Sequence, residues 1–308
     1  MKIAVVGTGG VGGYYGGLLA QKGHDVTFIA RGEHLQAIRT NGLQVKSKFG
    51  DFVIKPARAT DAPVEVGPAD LVLFCTKTYR TDEAALTAKP LVGPNTTVLS
   101  LQNGVDAADR IGVIVGPEHM LAGATWLSAA IESPGVIRQA SDFRRVVVGE
   151  LDGSTSPRLQ AVYDAFKETG TAAEISPDIR GVLWTKLVFI STASGFGSLT
   201  RLPMAAYRAV PETRQLITAM MHETAAVAAA HGIRLAPDVV ETWLAFVDNL
   251  GPTIKASMQL DVEAGRPSEL ESLIGVIGRK GRERGVSTPV ADMLYGCLLP
   301  GELKARGL

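Results

Sequence analysis

Cysteine is nearly missing from this chain of 308 residues: only Cys75 and Cys297 occur, far apart, so neither a disulfide framework nor a metal knuckle is expected. Charge of one sign is lacking as well. Thirty-one basic residues cancel thirty-one acidic ones, which argues against a nucleic-acid or polyanion binder working through bulk charge. No apolar run approaches the roughly 20 residues that a bilayer span requires. The N-terminus runs straight into an apolar strand, leaving no room for a signal peptide. Internal repeats and low-complexity segments are also missing. What remains, 46% hydrophobic and 20% charged residues, is the mix of a globular protein with a sizeable core. It is expected in the cytoplasm, off the membrane, and its length suits two domains.

The first half alternates β-rich runs (KIAVVG, HDVTFIA, LVLFCT, TTVLSLQN) with helical patterns (YYGGLLAQKG, TDEAALTAKPL). That alternation predicts a parallel sheet with crossover helices. The segments LAGATWLSAAIESPGVIRQ and RRVVVGELDG then read as antiparallel strands that finish the same sheet. After TAAEISPDIR the β character fades into long helical patterns, one stopped by Gly232 and another by Gly285, with Pro177, Pro211 and Pro237 near suitable starts. The expected fold class is α/β, with a first domain over residues 1–176 and a mostly helical second domain over 177–308.

Gly7-Thr8-Gly9-Gly10-Val11-Gly12 satisfies G-x-G-x-x-G directly after an apolar strand and at the start of a helix, the context a dinucleotide-binding fingerprint needs. Its glycines permit a tight turn and a close backbone approach to a pyrophosphate, which the helix N-terminus favours. NAD-binding units of this kind commonly place an acid at the tip of the second strand, to accept bonds from the ribose 2′-hydroxyl. Here VTFIAR ends on Arg31. A carboxylate would repel a 2′-phosphate, whereas a guanidinium binds it bidentately, so the expected cofactor is NADP(H). Glu33 stands close by and leaves a route to the ribose open.

A bound nicotinamide implies hydride transfer, and reducing a ketone also needs a proton donor. The five histidines are poorly placed for that task and read as surface or packing residues. Lys186, inside the apolar run GVLWTKLVFI, must either snorkel to the surface or end in a polar cleft, where desolvation would lower its pKa. Lys77, just past LVLFCT, and Asn103, after TVLSLQ, stand at the carboxyl edge where open α/β sheets bind ligands.

Together these residues resemble the ketopantoate reductase family (2-dehydropantoate 2-reductases) over essentially the whole chain. The resemblance rests on GTGGVG, Arg31, Lys77 in CTKTYRTDEA, Asn103 in LQNGV, Trp184-x-Lys186-Leu187, Ser257-Met258 and Glu269 in SELESLIG. It implies a Rossmann domain, a helical domain akin to that of 6-phosphogluconate dehydrogenase, and a cleft between them in which NADPH reduces ketopantoate to pantoate. By the same resemblance Lys186 is the general acid, and Glu269 bonds near the reacting hydroxyl and the ribose and orients Lys186. Ser257 binds the substrate carboxylate or hydroxyl, Lys77 and Asn103 line the site, and Ala129 offers backbone to the nicotinamide end. No metal is implied.

One departure stands out. The family commonly has asparagines four and eight residues after the catalytic lysine, and here those positions are Ile190 and Ser194. On a helix they share a face with Lys186, so the wall should be more apolar and reach less far. This leaves two alternatives to ketopantoate: a less polar 2-oxo or 3-oxo acid, or a non-catalytic NADP(H) sensor. The partner is then a small 2-oxo acid, and the apolar helices of the second domain leave a homodimer open.

Overall fold

The computed structural model describes residues Met1–Leu308. The chain divides into two compact units: Met1–Gln102 with Asp106–Ile179, and Asn103–Val105 with Arg180–Leu308.

The first unit runs β1 (Lys2–Val6), α1 (Gly10–Gln21), β2 (Asp25–Ile29), α2 (Gly32–Asn41), β3 (Leu43–Ser47), β4 (Phe52–Ile54), β5 (Arg58–Thr60), β6 (Leu71–Phe74) and α3 (Thr81–Ala88). It continues with β7 (Thr97–Ser100), α4 (Ala107–Val115), β8 (Met120–Trp126), β9 (Ala129–Ser133), β10 (Val136–Gln139), β11 (Arg145–Glu150), α5 (Pro157–Glu168) and β12 (Ala172–Ile175). Eight strands form one sheet in the order β12-β11-β8-β7-β6-β1-β2-β5. Strands β6 and β7, LVLF and TVLS, are buried at every residue, as strands covered on both faces must be. The chain leaves β1 for β2 on one side and reaches β6 on the other, so the strand order reverses at β1, where open sheets of this type bind ligands. Helix α1 seals that region with Tyr14 and Tyr15, neither accessible to solvent, and Tyr15 meets Phe166 of α5 edge-on at 5.3 Å.

The expectation that residues 120–150 finish one sheet holds for β8 and β11, which pair antiparallel within it. It fails for β9 and β10. These join β3 and β4 in a separate sheet of order β4-β3-β10-β9, with β10 parallel to β3. Four of the five β9 residues are exposed, so β9 could not serve inside a sheet covered on both faces. Alternation in sequence marks a strand but not its partners.

The second unit is helical: α6 (Ile179–Thr200), α7 (Met204–Arg208), α8 (Pro211–Ala230), α9 (Val239–Asp248), α10 (Ser257–Glu263), a π-helical turn over Glu271–Gly275, α11 (Val276–Arg284) and α12 (Pro289–Ala305). Proline starts α8 and α12, where its missing N–H costs nothing. Gly285 ends α11 at φ 69°, the left-handed cap that glycine adopts freely. Helix α8 packs against α7, α9, α11 and α12.

Contrary to the sequence expectation, α6 is long and apolar enough to cross a bilayer by length and composition. Arg180, Lys186 and several hydroxyl residues interrupt it as a plain run of letters. The helix is a core element, with 67% of its most apolar window buried. Trp243 of α9 donates its Nε1–H to the Thr185 carbonyl at 2.7 Å and stacks on Phe189 at 4.8 Å, tying α9 to α6.

Candidate active site

In the first unit the glycine turn joins β1 to α1. Gly7 sits at φ 94°, and a Cβ there would lie 2.7 Å from the Thr76 nitrogen. A Cβ on Gly10 would lie 2.0 Å from the Ala129 carbonyl oxygen, and one on Gly12 would lie 2.3 Å from the Gly7 oxygen. Packing therefore requires glycine at all three. Gly9 differs, because a Cβ there meets nothing within 4 Å. Packing does not explain it, and its bareness leaves the turn open for close approach. Thr8 anchors the turn by donating Oγ–H to the Ile29 carbonyl at 3.0 Å. No side chain caps the start of α1, so its N-terminus keeps the donor character that suits a pyrophosphate. Val11 is half-buried in this first turn. The residues present therefore fit a dinucleotide. Gly10→Ala, which drives a methyl into fixed backbone, should cost about 1–3 kcal/mol of stability in a urea titration. Gly9→Ala should leave stability unchanged and weaken only nucleotide binding.

At the tip of β2, Arg31 donates Nη1–H to Glu83 Oε1 at 2.9 Å, with both side chains about half exposed. Arg80 grips the same carboxylate from Nε and Nη2, at 3.1 and 2.8 Å. These bonds, Arg80's first and then Arg31's, hold the Glu83 carboxyl down at about 2. Arg80 and Glu83 lie three residues apart on one turn, whereas Arg31 lies 52 residues from Glu83 in sequence, so that pairing has no local signal. Lys77 follows β6 with extended backbone. Near it burial pushes the Cys75 thiol up to about 12, which disfavours its thiolate.

The second unit contains the chemically distinctive cluster. Lys186, in the second turn of α6, is only 9% exposed. Its Nζ donates to Asn103 Oδ1 at 2.9 Å, and Asn103 Nδ2 donates to Glu269 Oε2 at 3.0 Å. An ammonium only donates and a carboxylate only accepts, so the Asn103 amide between them can face just one way. Burial lowers the Lys186 pKa from its ordinary value to about 8, opposed in part by the charge of Glu269. A buried amine that exchanges a proton near neutral pH, held by an oriented amide, can act as an acid or a base.

Other expected residues do not join this cluster. Ser257 opens α10 with its side chain exposed, and it bonds to none of the three. Ile190 is half-buried one turn beyond Lys186. Ser194, one turn further, is fully buried with its hydroxyl unbonded. By contrast, the hydroxyls of Ser191 and Thr192 bond back to the carbonyls four residues earlier, at 2.6 and 3.0 Å. Histidine offers no competing acid. His24 bonds the N-terminus, His34 accepts the Gly135 N–H, His119 and His231 bond backbone carbonyls, and His222 is exposed on α8.

Comparison with known proteins fits this arrangement. Residues 3–153 match the family described as Ketopantoate reductase PanE/ApbA, and residues 178–302 match its C-terminal counterpart. The chain belongs to the ketopantoate reductase family. Among its relatives, a 2-dehydropantoate 2-reductase of Mesorhizobium japonicum is 31% identical over 95% of each chain. A PanE/ApbA family ketopantoate reductase of Ralstonia eutropha superposes at a TM-score of 0.92, with 32% identity over 99% of this chain and 100% of that one. A D-mandelate dehydrogenase, solved with NADH and anilino(oxo)acetate, superposes at 0.90 with 26% identity over 99% of each chain. As a member of the ketopantoate reductase family the chain is an oxidoreductase acting on a ketone–alcohol pair, which sets aside the sensor alternative. Its fold is a Rossmann-like α/β unit followed by a helical unit.

Proposed function

We propose that this protein reduces ketopantoate to pantoate with NADPH, Lys186 serving as the general acid. The observation that carries the reading is the buried Lys186 ammonium bonded to Asn103, which in turn is bonded to Glu269. A reduced nicotinamide, when bound, supplies hydride. The chain's residues supply the rest. Lys186 Nζ holds the proton that the carbonyl oxygen receives, and Asn103 aims the ammonium. Glu269 keeps the proton on the amine against the cost of burial. The glycine turn with Thr8 and Val11 holds the pyrophosphate, Arg31 the 2′-phosphate, and Lys77 and the Ala129 backbone flank the cofactor. Ser257 offers its exposed hydroxyl to the substrate.

Proton donation requires the charged amine, whose share falls as pH rises through about 8. Ketone reduction should therefore decline above that pH, and oxidation of the hydroxy acid, which needs neutral Lys186, should rise through the same range. The rate measured against pH in both directions checks the sign.

One observation favours a second substrate. Ile190 places a hydrocarbon where an amide would bond a hydroxyl, and losing such a partner costs about 1–3 kcal/mol per unmet buried group. A less polar 2-oxo or 3-oxo acid is the alternative, and the likeness to a mandelate dehydrogenase structure holding anilino(oxo)acetate points the same way. Rates of NADPH oxidation with ketopantoate, phenylglyoxylate and branched 2-oxo acids test both readings. No acceleration by any of them would overturn the proposal.

A further inference from the structure

One turn from the C-terminal end of α12, Glu302 is a carboxylate buried to 6% exposure. Such burial is costly unless the charge is paired and its lone pairs are filled. Arg306, one turn on, donates Nε–H to Oε1 at 2.6 Å, which pairs the charge. The remaining bonds all go to one residue. The Ser268 N–H reaches both Glu302 oxygens at 3.0 Å, and the Ser268 hydroxyl donates to Oε2 at 2.5 Å. Ser268 is fully buried and immediately precedes Glu269, itself 3% exposed.

Beyond Glu269 the chain enters the π-helical turn Glu271–Gly275 rather than a regular α-helix. Wide turns of this kind are rare and occur frequently at functional sites. Glu269 thus stands between a main chain clamped from α12 and an unusual helix start. Its carboxylate holds Asn103, which holds Lys186.

We propose that Glu302 is a positioning residue: by fixing the main chain and hydroxyl of Ser268 it sets the place of Glu269, and through Asn103 the aim of the Lys186 ammonium. This rests on the reading of Lys186 as the proton donor. The clamp need not be charged to hold a helix start, since a neutral hydroxyl or amide caps one as well. A carboxylate with its own arginine instead gives a rigid acceptor with both oxygens committed to Ser268.

The test uses the full chain carrying Glu302→Ala, Glu302→Gln or Ser268→Ala, with two readouts. One is the titration of the Lys186 amine by nitrogen NMR; the other is steady-state reduction of ketopantoate by NADPH, normalised to folded protein. With Glu269 loosened, its charge supports the ammonium less, so Lys186 should titrate at lower pH in Glu302→Ala. The same variant should lose about tenfold in kcat, short of the ~100-fold that a 1 Å misplacement can cost, at unchanged KM for NADPH. Ser268→Ala should move both readouts the same way by less, and it stands in if Glu302→Ala does not fold. Glu302→Gln, which keeps an acceptor for the Ser268 N–H, should restore kcat to within a few-fold.

A lowered melting temperature with the Lys186 titration and normalised kcat unmoved would make Glu302 a plain structural cap and overturn the inference. Failure of the Lys186 assignment would read differently. Lys186→Ala would then keep its turnover, while the titration in Glu302→Ala would still report whether the clamp acts on the amine.

Discussion

Lys186→Ala is expected to lower kcat by at least ~100-fold, the low end for loss of a positioned general acid, while NADPH still binds with near-parental affinity. The split follows from where the parts lie. The glycine turn and Arg31 belong to the first unit, and Lys186 belongs to the second, so removing the amine leaves the nucleotide-binding residues untouched. A fold defect is separated from a chemical one by Lys186→Met. Methionine keeps most of the apolar stem of this buried side chain and deletes only the ammonium. Either variant removes the Asn103 oxygen's donor, at about 1–3 kcal/mol, and either relieves the cost of burying a charge, but only methionine also keeps the apolar volume. If Lys186→Met melts like the parent and still loses turnover, the loss is one of proton delivery. Near-normal kcat in both variants would remove the proton donor from the proposed reaction.

The parts of this protein that were legible in sequence are those whose signal is local. The glycine turn, the buried strands β6 and β7 and the proline and glycine punctuation of the helices each announce themselves within a few residues. Lys186 stood out because apolar neighbours left its ammonium no obvious solvent. What α6 could not show was the partner of that ammonium, since Asn103 lies 83 residues before it in sequence and 166 before Glu269. Family resemblance placed these three in one site, and the geometry adds that Asn103 bridges the other two. Strands β9 and β10 were recognised as strands but given the wrong sheet, because pairing depends on which surface is left to cover. Glu302 gave no signal at all. A glutamate in a C-terminal helix reads as a solvated face, and its contact with Ser268, 34 residues earlier, exists only after α12 has folded back.

Arg31→Asp should weaken NADPH binding about 100-fold and leave NADH within a few-fold, measured by quenching of protein fluorescence on titration with each nucleotide. A charge-assisted bond to phosphate is worth about 1.5–3 kcal/mol, and each ~1.4 kcal/mol is tenfold. Inverting the charge adds repulsion that only the 2′-phosphate feels. The ion pair at the tip of β2 sharpens this expectation. Arg31 already bonds Glu83, which Arg80 also grips, so an incoming 2′-phosphate would compete with a carboxylate for the same guanidinium. Glu83→Gln weakens that competitor and should tighten NADPH binding without affecting NADH. The two substitutions thus move NADPH affinity in opposite directions through one side chain. A Rossmann-like fold by itself does not choose between the nucleotides, so on the proposed reading the choice would fall to the charge presented at this strand tip. Equal losses of NADPH and NADH in Arg31→Asp would mean that Arg31 serves only its surface pair with Glu83, and the 2′-phosphate assignment would have to move to another cation of the first unit, with Lys77 the first to examine.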